Sequence, residues 1–145
     1  MHHLDLGLFN YQVKFTYEVL KLQHNDMLVN EVDRRLAAIP RFPGLKIFSN
    51  GLHARSTASD YRNLMKVMIF VVDNLYNEND DEVDDFVNNN DLTELFEKWN
   101  EMYILSRYEE FSENDLANFK VSKKKFLLKL KLKLKLLVKI LGCNI

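Results

Sequence analysis

The chain has 145 residues, with 20 Lys+Arg against 21 Asp+Glu, 4 His and a single Cys. One ordinary domain fits that length and two large ones do not; an apolar share of 47% excludes overall disorder, and a lone Cys excludes an internal disulfide framework. Only 4 Gly and 2 Pro argue against a turn-rich all-β fold, no uncharged apolar run reaches the roughly 18 residues of a spanning helix, and the start lacks the basic and apolar runs of a signal peptide, so the expectation is an intracellular, mainly helical chain.

Residues 3–24 read as a first helix. Leu4, Leu8, Tyr11, Phe15, Val19 and Leu22 fall at helical spacing. Leu6, Phe9, Val13, Tyr17 and Leu20 widen the apolar surface, so more than one side should be covered. Gly7 weakens the start by about 1 kcal/mol relative to Ala, which moves the expected start beyond it. A second helix is expected at 26–38, capped by Asn25 or Asp26, with Leu28, Val32 and Leu36 as its buried line. Arg34 and Arg35 sit near its end, where the helix dipole favours cations, and Pro40 forbids continuation. Pro43-Gly44 and Asn50-Gly51 are turn signals, and Leu45, Ile47 and Phe48 would pin the loop between them to the core.

The third helix, 58–76, starts at a Thr57/Asp60 pair with capping-box spacing. Tyr61, Leu64, Met65, Met68, Val72 and Leu75 make one stripe, and Val67, Ile69, Phe70 and Val71 add apolar surface around it. A helix that is apolar all round belongs in the centre of a bundle. The acidic, Asn-rich stretch 77–90 reads as a loop with Val83 and Phe86 as anchors. A fourth helix follows at about 92–108, with Asp91 and Glu94 as its cap pair and a stripe of Leu92, Leu95, Phe96, Trp99, Met102 and Tyr103. Ser112 and Asp115 repeat the start signal for a fifth helix carrying Leu116 and Phe119.

The end of the chain conflicts with itself. Every even position from Leu128 to Ile140 is apolar, while 129, 131, 133, 135 and 139 are all Lys. A period of two is the strand signature, yet Leu and Lys both favour helix, and no other segment offers a matching strand. The segment reads as helix in the free chain and as an extended form wherever a partner edge or an apolar surface exists. Charge divides the chain at the same place. Residues 1–119 carry 11 basic and 21 acidic side chains, whereas 120–145 carries nine Lys and no acid. The sequence thus predicts an all-α, irregular bundle of about five helices over 1–119 and a basic amphipathic tail over 120–145.

Catalytic signatures are absent: there is no Gly-rich phosphate loop, HExxH, CxxC or GxSxG. His2, His3 and Asp5 are the metal-ligand candidates, three terminal residues that more often belong to a frayed end. His24, His53 and Cys143 have no ligand or nucleophile partners at useful spacing, and the acidic run 78–85 lacks the alternation and central Gly of a calcium loop. The tail is the feature whose pattern suggests a ligand. Lys123, Lys124, Lys125, Lys129, Lys131, Lys133, Lys135 and Lys139 would contact an anionic partner, either DNA phosphates or an anionic membrane surface. The Leu content and the lack of Arg favour the membrane. A solvated or self-neutralising tail is the bland alternative.

The stretches MHHLDLGLFNYQ, RRLAAIPRFPGLKIFSNGL (34–52), YRNLMKVMIFVVDNLY (61–76) and WNEMYILSRYEEFSENDLANF (99–119) resemble the transposases of Plavaka-type DNA elements, fungal relatives of the CACTA group. The resemblance covers about residues 1–119. It implies an RNase H-like core in the full-length protein, where three carboxylates hold two Mg²⁺ ions for in-line attack on phosphate. The family's Asp in a D-x-M-H pattern would precede Met1-His2 and its catalytic Glu would follow this segment, so His2 matches a family position while the carboxylate set is incomplete. What the resemblance implies for this chain is a truncated helical fragment without catalysis and without a cofactor of its own, nuclear if a transposase-derived role is retained. The runner-up is a small helical binding module acting through its cationic tail.

Overall fold

The computed structural model describes residues 7–24, 26–45, 48, 57–76 and 87–140, with the backbone alone of residues 24 and 132–140. They form five helices and, among the described residues, no strand: α1 Asn10–His24, α2 Asp26–Ala38, α3 Ala58–Val72, α4 Asn89–Leu105 and α5 Glu113–Ile140. The all-α bundle expected from periodicity is the fold. Leu4, Leu6, Ile47, the Asn50-Gly51 turn and the loop anchors Val83 and Phe86 lie outside the described residues.

Helix α1 begins at Asn10, after a wider π-type turn over 7–9, so its start lies beyond Gly7 as expected. Its buried face is turned from the expected one. Phe9, Val13 and Leu20 are buried with Phe15 and Val19, while Tyr11 is 68% exposed and Leu8 and Leu22 face solvent. The cause is a sequence with apolar residues on both sides: spacing alone offers two overlapping stripes, and the neighbours choose between them. Tyr61 of α3 donates a hydrogen bond to Asn10 Oδ1 (2.7 Å), and Tyr17 donates to Asp33 Oδ1 of α2 (2.8 Å), so α1 is tied at its start and at its middle.

Helix α2 buries Leu28, Val32 and Leu36 as its spacing predicts. The chain then turns at Phe42–Leu45, where the Leu45 N–H donates to the Phe42 carbonyl (3.0 Å). Gly44 has φ +78°, the third-position geometry of a type II turn that Pro43-Gly44 encodes. Helix α3 is closed at its start by the Thr57/Asp60 capping box. It buries Tyr61, Leu64, Met65, Val67, Met68, Val71 and Val72, which makes it the most enclosed element by composition, although Phe70 is 75% exposed. Its end falls at Val72 rather than 76, because Asp73 turns extended and Asn74 adopts φ +45°.

Helix α4 starts earlier than expected. Asn88 is the N-cap, accepting from the Asp91 N–H (2.7 Å), so the Asp91/Glu94 pair does not cap it. In an Asn-rich run every residue is a plausible cap, and the packing of Asn89 decides. Asn89 is buried and its Oδ1 accepts from the Leu75 N–H (3.0 Å), fastening the exit of α3 to the start of α4. The helix ends at Leu105, short of 108, with Ser106 Oγ donating to the Tyr103 carbonyl.

Ser112 and Asp115 do form the expected cap of α5, each backbone N–H donating to the other's side chain (2.9 and 3.2 Å). At 28 residues this helix is about 42 Å long, and it runs unbroken through position 120 into the Lys/Leu segment. Helix, not strand, is therefore what the alternating sequence adopts. Phe126 and Leu130, one turn apart, are buried against the bundle. Trp99 of α4 is the centre of that contact, 5.1 Å from the Phe126 ring, 5.4 Å from Phe9 and stacked on Tyr103 at 6.2 Å. Such aromatic pairs add about 0.5–1.5 kcal/mol each beyond the area they bury. No helix among the described residues is long and apolar enough to cross a membrane.

Candidate anionic-partner surface

A period of two wound on a helix advances 200° per step, so alternate Leu residues land on opposite sides. This geometry splits α5. Phe126 and Leu130 take the inner side, and Leu116, Val121, Leu127 and Leu128 are left exposed, Leu128 at 57%. Lys120, Lys123, Lys124 and Lys131 stand around Leu127 and Leu128 in a shallow, open groove of about 390 Å³. The long aliphatic stems of these lysines border the leucines while their ammonium groups reach water. Lys125 is exposed as well.

Lys129 has a different place from the other predicted lysines. It sits half-buried at the α4–α5 seam, donates to Glu94 Oε2 and lies 3.7 Å from Asp91. The hydrogen bond with Glu94 holds its ammonium above the usual lysine range. One cation of the basic segment is thus neutralised by the acidic body. The side chains of Lys133, Lys135 and Lys139 lie outside the described residues, as do His2, His3, Asp5, His53, Cys143 and the acidic run 78–85. Among the described residues no three His, Cys, Asp or Glu side chains gather into a metal-sized group.

A second concavity was not visible in the sequence. Arg62 and Lys66, one turn apart on α3, face Arg107, just beyond α4, across a groove of about 640 Å³ that also holds Asn63, Asn100 and Tyr103. Two cations at four-residue spacing were a legible signal, but nothing local ties them to position 107.

Elsewhere charge is structural. Glu31 accepts from the Arg34 and Arg35 guanidinium groups at 2.6–2.9 Å, which holds its carboxyl down at about 2. Arg35 also donates to the carbonyls of Val71 (3.1 Å), Asp73 (2.7 Å) and Asn74 (2.9 Å), satisfying the negative end of α3. Burial, then the Asp33 hydrogen bond, pushes the Tyr17 phenol far above its ordinary range, so it stays a donor. The Gln12 amide and the Trp99 indole N–H are buried without a hydrogen-bond partner among the described residues. A comparison of the chain with protein-family models, with curated proteins and with solved structures finds no match.

Proposed function

We propose that the protein is a small helical binding module that lies on anionic membrane surfaces through the outer side of α5. The observation that carries this reading is the grouping of Lys120, Lys123, Lys124 and Lys131 around the exposed Leu127 and Leu128. Cations near an anionic bilayer contribute about 1 kcal/mol each, and a leucine side chain taken out of water contributes about 1.5–3 kcal/mol. The two terms act together only where charge and apolar surface share one side of a helix in the interface plane. Lysine suits a diffuse headgroup layer, whereas base and phosphate recognition more often draws on Arg forks and aromatic stacking. Docking needs no rearrangement, because the inner side of the same helix is already held by Phe126 and Leu130.

Co-sedimentation with phosphatidylserine-containing vesicles, run across a salt series, tests this. Binding is expected with anionic vesicles, falling with salt and lost for neutral phosphatidylcholine vesicles. The triple variant Lys123→Glu, Lys124→Glu, Lys131→Glu should lose it, and Leu127→Ser with Leu128→Ser should weaken it at every salt concentration. Equal binding by the charge-reversed variant would overturn the proposal.

The resemblance of residues 1–119 to Plavaka-type transposases supports a second reading, a transposase-derived fragment without strand-transfer activity whose lysines meet DNA. On that reading the purified protein retards duplex DNA in a gel shift, the triple variant does not, and neither nicks DNA with Mg²⁺ or Mn²⁺. Retardation without vesicle binding would favour it over the membrane reading.

A further inference from the structure

The solvent side of α3 is polar except at one position. Ser59, Arg62, Lys66, Phe70 and Asp73 recur at helical spacing and are all exposed, Phe70 at 75%. A second phenylalanine, Phe42 at 71%, stands beside that side of the helix. Its place follows from its neighbours in the chain. Ile39 and Pro40 share a shallow groove of about 330 Å³ with Phe70 and Val71 near the end of α3, and Gly44 borders Arg62 and Lys66 nearer its start. The segment 39–44 therefore runs alongside α3, and Phe42 falls at the level between Lys66 and Phe70. These are the two most exposed large apolar side chains among the described residues, and the exposed Ala38 and Pro40 extend the apolar strip. Single exposed apolar residues are ordinary, whereas a grouped strip marks an interaction surface. The nearby guanidinium groups are already engaged, Arg35 by the carbonyls at the end of α3 and both Arg34 and Arg35 by Glu31. Lys66 and Asp73, which flank Phe70 on its own stripe, form no ion pair among the described residues.

We infer that a second copy of this chain docks on the strip, the two α3 helices packing antiparallel with the Phe70 rings side by side. A two-fold interface needs a surface complementary to itself, and the order Lys66, Phe70, Asp73 has that property. With the rings paired, a rise of about 1.5 Å per residue puts Lys66 roughly 6 Å to one side of them. The same rise puts Asp73 of the other copy roughly 4.5 Å to that side, so opposite charges meet at one level, twice per dimer. Packed helices lie about 8–10 Å apart, a gap that a lysine stem and a carboxylate span together. A partner of one charge sign would not serve as well. An acidic segment would be repelled by Asp73 and a basic one by Lys66, whereas a copy satisfies both. The area points to a modest dimer. Two rings exposed by about three-quarters leave roughly 300 Å² per copy, and four rings supply roughly 600 Å² of the 1,200–2,000 Å² of a standard interface. Ala38, Pro40 and the lysine stem add to this, which sets the strength at micromolar rather than nanomolar. The outer side of α5 has no part in the contact.

Sedimentation velocity of the full chain, run from low micromolar to sub-millimolar concentration, tests the inference. The average mass should rise from 17.2 kDa toward twice that value. Phe70→Ser should weaken association about tenfold or more and Phe42→Ser by less, both at an unchanged melting temperature in dilute solution, since these rings are exposed. Tyr11→Ser, which removes an exposed aromatic of α1, should leave association unchanged. The charges give a sharper readout. Lys66→Glu alone and Asp73→Lys alone should each weaken association several-fold. An equimolar mixture of the two should regain it, because a cation then faces a carboxylate at both contacts. A wild type that stays monomeric at every concentration would overturn the inference, and if its Phe70→Ser variant also lost vesicle binding, the strip would be a lipid contact instead. Association that survives Phe70→Ser, association lost in Leu128→Ser on α5, or a mixture no more associated than its components would each overturn it as well.

Discussion

Phe126 and Leu130 bring α5 onto α4 by apolar contact around Trp99, whereas Arg35 brings α2 onto α3 through three carbonyl oxygens and Glu31. The first joint depends mainly on volume and shape, with one partly exposed ion pair, Lys129 with Glu94 and Asp91, beside it. The second depends on one planar fork, held at one angle by a carboxylate, meeting groups at the end of a helix. The contrast explains how α5 carries nine lysines without weakening the bundle. Its attachment draws mainly on apolar burial, with charge confined to Lys129 at the seam, so its outer side is free to be cationic. The α2–α3 corner has no such freedom, because its cation is consumed by the fold.

The largest effect expected is at the apolar joint. Phe126→Ala should lower unfolding free energy by about 3–5 kcal/mol in urea titrations, whereas Leu128→Ala, two positions away, should stay within about 0.5 kcal/mol. Equal losses at the two positions would mean that the inner and outer sides of α5 are not distinct. The polar corner should respond less but more selectively. Arg35→Lys keeps the charge yet loses the fork, and should cost about 1–3 kcal/mol through carbonyls left without a donor. Full retention of stability by the lysine variant would show that charge alone suffices there.

The smallest effect separates the two joints by pH. The carboxyl of Glu31 is depressed from 4.5 to about 2, so its contribution is complete above pH 4.5 and is lost as pH falls toward 2. The ammonium of Lys129 is raised, so its contribution is complete below the ordinary lysine range and is lost only as pH climbs through the folded value. Because both partners at the α5 seam are about one-third exposed, the pair contributes about 1 kcal/mol or less. Thermal midpoints should therefore fall with acid in a manner Glu31→Gln flattens, and fall in strong alkali in a manner Lys129→Met flattens. An acid response carried by Lys129→Met instead would break the comparison.

Much of the helical frame is legible in sequence. Leu28, Val32 and Leu36, the Tyr61–Val72 stripe, the Thr57/Asp60 box and the Ser112/Asp115 cap are local signals, each decided within one or two turns. The errors arise where local signals are degenerate. Apolar residues on both sides of α1 leave its rotation open, and the run Asn88-Asn89-Asn90 leaves the cap of α4 open until Asn89 is seen to serve Leu75. The tail's alternation is equally divided until Phe126 finds Trp99. Of the candidate surfaces, the α5 lysines are visible because they are contiguous. The α3–α4 groove is not, because residues 62, 66 and 107 meet only through tertiary packing.

The chain holds a single tryptophan, and it stands where the lead-in to α1, α4 and α5 converge. That placement makes the indole a built-in optical gauge of whether the last helix stays seated. If α5 lands on a bilayer while still docked, the emission stays blue, as expected of a dry ring; if it peels away to insert both its sides, the same band moves red as water reaches the ring. One spectrum, recorded with and without vesicles, thus distinguishes a rigid paddle from a hinged one.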